Sequence, residues 1–188
     1  CRAGKLKDCY RVRKEFTHLP KIERIRYLQA AHAISTQAQY KTRYEALLEI
    51  HRKYFNTDIH KAPYFLPWHR WFILQIENLL REVDCRVTVP YWDWSLVAGD
   101  PFNSDFWNDT YGFGGNGIGF PPCVRTGLFG IHNKWTIPYG GCLQRNFIPI
   151  KGVIPNVAAI AQTLAKNVTS FLDFELMLRV NIHDVVHF

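Results

Sequence analysis

Eight histidines are the residues of this chain whose type and spacing point most directly to chemistry. His51, His60 and His69 follow one another at intervals of nine residues. Nine residues at about 100° each leave successive members half a turn out of phase, so one helix cannot present all three on one face. They converge only if the chain breaks between them. It breaks twice: Asn56-Thr57-Asp58 supplies turn chemistry after His51, and Pro63 and Pro67 exclude a continuous helix through residues 60–67. A helix ligand, a loop ligand and a second helix ligand then close on one ion as three neutral imidazoles. His183 and His187 form a second set; at i and i+4 they share a helix face and reach a common ion. Asp184 follows His183 and no glutamate lies between the two, so the HExxH pattern of zinc proteases is missing. All-imidazole ligation suits copper, zinc, iron or nickel. Copper on such ligands cycles between Cu(I) and Cu(II), and two such ions bind O2 between them, which zinc cannot do. His18 and His132 sit in polar or loop surroundings, and His32 on an apolar helix face reads as a packed core residue.

The elements that must position these groups are mostly helical. Leu19-Pro20 precedes a segment in which Ile22, Ile25, Leu28 and Ala31 or His32 recur at helical spacing. In residues 39–55, Tyr40, Tyr44, Leu47, Leu48 and His51 fall on one stripe and predict a second helix. A third, over residues 68–83 with Pro67 in its first turn, places His69, Phe72, Ile73, Ile76 and Leu79 or Leu80 on one face. Residues 87–94, VTVPYWDW, read as a short extended segment in which Pro90 rules out a long central strand. Residues 99–155 show little periodicity and contain the loop signature GFGGNGIGFPPC. A fourth helix is expected over 156–168 and a fifth over 170–188. The expected fold is mainly α, a helical bundle with long disulfide-pinned loops and little β, in one domain spanning 1–188.

A hydrophobic content of 47% and an aromatic content of 15% argue against disorder. No run of eighteen apolar residues marks a membrane span. The net charge of +7 is scattered, without a phosphate-cradling glycine loop, so nucleic acid is not an expected partner. The five cysteines include no CxxC pair. Cys123 and Cys142 bracket a Gly- and Pro-rich loop and are expected to pair, as are Cys1 and Cys9. Cys85 is then left over, as a buried thiol or bonded to something else. The sequons Asn108-Asp109-Thr110 and Asn167-Val168-Thr169, with the spaced cysteines, favour a secreted or secretory-lumen glycoprotein.

HKAPYFLPWHRWF, residues 60–72, resembles the copper-A signature of tyrosinases and mollusc-type haemocyanins, the type 3 copper proteins. That signature is a histidine, eight residues, and a histidine inside an F-L-P-W-H-R core, here Phe65-Leu66-Pro67-Trp68-His69-Arg70. VTVPYWDW resembles the companion segment, and YEALLEIH the helix carrying the first ligand. GFGGNG, the Cys123-to-Cys142 region and LQRNF look like the linker of animal tyrosinases, and NIHDVVHF looks like the start of the copper-B signature. The resemblance implies a dinuclear copper site, with copper A held by His51, His60 and His69 and copper B by His183, His187 and a third ligand. It implies a phenol oxidase that uses O2 to hydroxylate monophenols at the ortho position, oxidise catechols to o-quinones, or both. The alternative is an O2-binding haemocyanin-like protein or a non-catalytic matrix protein, in which zinc could replace copper.

The family needs a sixth histidine downstream, so the domain is expected to be truncated at its C-terminus or completed by a second chain. Asp184 stands where many tyrosinases carry Asn; its carboxylate could accept a phenol proton, orient a bound water, or be a solvated helix residue. Glu175 resembles a glutamate that holds a water over the site, sharing a face with His183 at i+8; an ion pair with Arg179 at i+4 is the competing reading. Asp93 and Arg70 are candidates for supporting hydrogen bonds or a salt bridge. Asp58 takes the place of a cysteine that some relatives link to a copper-A histidine, so no thioether is expected.

Overall fold

The computed structural model describes residues 10–57, 59–60, 62–148 and 154–186. Helix α1, Lys21–Thr36, starts directly after Pro20, whose fixed φ suits a helix entrance. It gives way to α2, Ala38–Tyr54, at one extended residue, Gln37. Helix α3, Phe65–Val83, starts three residues before the expected Trp68, which places Pro67 inside its first turn. Proline is tolerated there because the first amides of a helix have no intrahelical acceptor. Two short helices close the chain: α4, Val157–Leu164, and α5, Phe171–Leu178. Both are capped by a side chain, Asn156 accepting from the Ala159 amide and Ser170 from the Asp173 amide.

Helix α1 packs against both α2 and α3. One apolar cluster joins Ala30 and Ile34 of α1 to Leu79 and Leu80 of α3 and to Val87. A second joins Phe16 and Leu28 to Phe129 and Trp135 of the long loop region. Tyr27 touches both clusters, and burial pushes its phenol up to about 12. Trp135 is anchored by its indole N–H, which donates to Ser35 Oγ at 2.9 Å. On α3 the expected stripe holds except at Ile73, which is exposed. The buried side includes Leu79 and Leu80, and between them and His69 sits the fully buried Glu77.

Glu77 ties three segments together. It accepts from Arg11 Nη1 at 3.1 Å, Arg13 Nε at 2.9 Å and the Val89 amide at 3.1 Å. Residues 87–93 of the expected extended segment hold no helix, and Tyr91 forms a parallel bridge with Glu15, but Trp94 already begins a 3-10 turn. Glu15 in turn accepts from Thr17, from His18 and from the Asp93 amide.

The loop region is pinned rather than loose. Cys123 is disulfide-bonded to Cys142 as the spacing suggests. The only sheet among the described residues is the antiparallel pair β1, Gly117–Ile118, and β2, Cys123–Val124. A Cβ at Gly117 would stand 1.9 Å from the Pro122 carbonyl oxygen, so this crossing needs glycine. Arg145 donates to the carbonyls of Phe113, Gly114 and Gly115, and lies over the Trp107 ring at 4.6 Å. Cys85 is disulfide-bonded too, so it is not a left-over thiol. Its partner falls outside the described residues. The expected Cys1–Cys9 pair lies outside the described residues as well.

The fifth helix differs from its expected form. Regular α-helix ends at Leu178, and the chain continues as a π-helical turn, Arg179–His183, and a 3-10 turn, Asp184–Val186. The wider turn shifts the phase by about one residue, so the i+8 face shared by Glu175 and His183 in an unbroken helix no longer applies.

Candidate metal centre

The three histidines spaced by nine come together. His51 lies in the last turn of α2, His60 in the connection and His69 in the second turn of α3. One nitrogen from each lies within 4.8 Å of the others, and their ring centroids are 4.9 to 5.5 Å apart. The break after α2 does more than turn the chain. It brings the Phe55 carbonyl, beyond the end of α2, to within 3.0 Å of His60 Nδ1. His69 Nδ1 lies 2.8 Å from the Phe65 carbonyl. A carbonyl only accepts, so each Nδ1 carries the proton and each Nε2 keeps its lone pair for a ligand.

Burial pushes all three imidazoles below their ordinary value of 6.5, and neighbouring histidines add to the effect. They are therefore neutral at pH 7, the state in which an imidazole ligates. Aromatic rings fix them from outside. Phe72 stacks on His51 at 5.5 Å, Trp68 stacks on Phe72 at 5.1 Å, and Phe55 meets His60 at 4.3 Å. Three neutral, oriented nitrogen donors fit a copper ion in chemical type.

His183 borders this cluster across Phe65, whose ring centroid is 4.7 Å from both His69 and His183. His183 is also close enough to influence the titration of His60 and His69. His183 Nδ1 lies 3.0 Å from Asp184 Oδ1. Glu175 is 3% exposed, and its carboxylate accepts from Arg179 Nε at 2.7 Å. Its observed contact is thus the ion pair. His187 and Asp58 lie outside the described residues.

Asp93 caps the turn Trp94–Val97, accepting from the Ser95 amide at 3.2 Å. Arg70 and His132 are exposed, His18 pairs with Glu15, and His32 is half-buried beside Phe129. Sequence reasoning overlooked Phe65 as the wall between the two histidine sets, and Glu77 as the anchor of α3. Glu77 left a signal: a carboxylate four residues after Ile73 and three before Leu80, on an otherwise apolar stripe.

Residues 41–186 match the family model of the common central domain of tyrosinase. Grixazone synthase of Streptomyces griseus is 35% identical over 136 residues, covering 67% of this chain and 42% of that protein. A tyrosinase of Streptomyces lincolnensis is 37% identical over 91 residues, 45% of this chain and 32% of its own length. The tyrosinase ustQ of Aspergillus flavus is 28% identical over 200 residues, 94% of this chain and 54% of its own length. The chain therefore spans about half the length, or less, of these curated relatives. In fold it resembles a polyphenol oxidase variant of Thermothelomyces thermophila, with a TM-score of 0.67 and 24% identity over 94% of this chain and 60% of that one.

Proposed function

This chain belongs to the tyrosinase family, and from its imidazole triad we propose that it is the copper-binding domain of a phenol oxidase. The carrying observation is the convergence of His51, His60 and His69, with the Nδ1 atoms of His60 and His69 committed to backbone carbonyls. These three residues hold the first copper. His183, His187 and one further ligand hold the second. Copper bound in this way supplies one-electron redox chemistry and a site for O2.

The chain's own part is to preorganise. The carbonyls of Phe55 and Phe65 fix which nitrogen faces the metal, and the rings of Phe55, Phe65, Trp68 and Phe72 hold the imidazoles and restrict water. A phenol or catechol has a flat apolar face and a polar edge. Aromatic walls around neutral histidines suit both. The substrates proposed are monophenols, oxidised at the ortho position, and catechols, oxidised to o-quinones, with O2 as co-substrate.

The compartment proposed is oxidising and secretory, supported by the Cys123–Cys142 bond and by the bonded state of Cys85. Asn167 is exposed and is the favoured glycan acceptor of the two sequons. Asn108 is half-buried, with its side-chain oxygen accepting from the Thr110 and Tyr111 amides.

Copper-loaded intact protein tests the activity. Colour development from a catechol under air, with O2 uptake in step, is expected, together with a near-ultraviolet absorption that depends on O2. Absorption without catechol oxidation would mean an O2 carrier, and neither signal would overturn the oxidase reading.

A further inference from the structure

Resting on the copper reading above, we propose that Arg179 is a positioning residue for the second copper: it holds Asp184 so that Asp184 fixes the ring of His183. The observation behind this is a run of polar contacts along the end of α5. Arg179 Nε donates to Glu175 Oε1 at 2.7 Å, Arg179 Nη1 lies 3.5 Å from Asp184 Oδ2, and Asp184 Oδ1 lies 3.0 Å from His183 Nδ1.

The backbone makes this run possible. In a regular α-helix, residues five apart lie roughly 140° away from each other around the axis, so Arg179 and Asp184 would not share a face. Here the turn Arg179–His183 is π-helical, and the Asp184 amide bonds to the Arg179 carbonyl five residues back. That wider turn sets Asp184 against Arg179. Such insertions are rare and recur at functional sites.

Burial argues that the contacts are not incidental. Glu175 and Arg179 are 3% and 9% exposed. A buried ion pair is a poor way to gain stability, since the cost of removing both charges from water offsets most of their attraction. It is a good way to hold a guanidinium still. Glu175 restrains one edge of that group, and another edge meets the Asp184 carboxylate. An ionised carboxylate only accepts, so the facing Nδ1 of His183 carries the proton and Nε2 is left as the ligand atom. Phe65 supports the same ring from the side of His69. Asp184 thereby acts on the ligand, and its two oxygens are engaged by Arg179 and His183 rather than by a substrate proton.

The test uses the intact protein in two states. In metal-free protein, nitrogen NMR of the histidines reads the ring tautomer. His183 is expected with Nδ1 protonated in the wild type, mixed in Arg179→Met, and largely restored in Arg179→Lys, whose ammonium still meets Asp184. In copper-loaded protein, Arg179→Met is expected to weaken the second copper about 10- to 100-fold and leave the first unchanged. If Arg179→Met does not fold, Asp184→Ala removes the same contact at a half-exposed position and is expected to give the same loss of tautomer. A wild-type tautomer signal and unchanged second-copper affinity in a variant that merely melts lower would overturn the proposal. Protein that takes up no copper would overturn the copper reading instead, and the metal-free tautomer would still decide whether Arg179 and Asp184 fix His183.

Discussion

Replacing Glu77 by Gln removes one charge from the most buried charged side chain among the described residues and leaves its shape. Glu77 is 0% exposed and accepts three bonds, from Arg11, Arg13 and the Val89 amide. The neutral amide keeps one oxygen, which can still accept from the two donors now on Oε2, Arg13 and the Val89 amide, but loses the oxygen facing Arg11. The two arginine side chains are 31% and 36% exposed, so each ion pair is screened and worth about 0.5–1 kcal/mol. Turning the amide NH2 toward arginine N–H groups leaves donors facing donors, at about 1 kcal/mol more. The sum is about 2–3 kcal/mol, or roughly 5–10 °C in Tm for a chain of this size. The effect has a pH signature. Burial works to raise the Glu77 pKa, but the bonds from Arg13, the Val89 amide and Arg11 outweigh it and hold the carboxyl below its ordinary 4.5. A depressed folded pKa contributes stability that is complete above the unfolded value and is lost as pH falls through the folded one. The gap between wild type and variant should therefore be full at pH 7 and shrink below about pH 4.5. Thermal and urea unfolding at pH 7, 5 and 3.5 measure it. A gap under about 0.5 kcal/mol at pH 7, or one that stays constant to pH 3.5, would refute the argument, since neither fits a charge-dependent anchor.

Other outcomes follow from the same geometry. Phe65→Ala empties the space between His69 and His183 and should cost about 3–5 kcal/mol in unfolding free energy, with weaker copper retention in dialysis against a chelator. Cys123→Ser opens the loop bridge of sequence separation 19 and should cost about 3 kcal/mol by urea unfolding under oxidising conditions. Gly117→Ala forces a Cβ against the Pro122 carbonyl and should lower Tm markedly, whereas Ala at Gly99, with nothing within 4 Å, should change it little.

Much of the first histidine set was legible because its logic is combinatorial. Three histidines out of phase on any helix, with a turn signal and two prolines between them, leave convergence through breaks as the economical solution. Helices α2 and α3 carry periodic apolar stripes, and Cys123 and Cys142 flank a loop that needs a closure; of the stripe expected on α1 only Leu28 is buried, and Ile22 is exposed. What the sequence hid is backbone phase and long-range pairing. Nothing in the alternation of Leu172, Phe174, Leu176 and Leu178 announces a π-turn after Leu178, so spacing alone offers Glu175 both His183 at i+8 and Arg179 at i+4. Exposed Ile73 shows the same limit, since a stripe read from spacing has a width that only a packed neighbour defines. The disulfide of Cys85 depends on which distant segment crosses it, and spacing carries no such information.

Elemental analysis of copper in the intact protein, wild type and His60→Ala, bears most directly on the central claim. The triad reading predicts two copper ions per chain in the wild type and one in the variant, with the remaining ion assigned to the half containing His183. Copper content unchanged by His60→Ala, or a wild type that binds none, would contradict it.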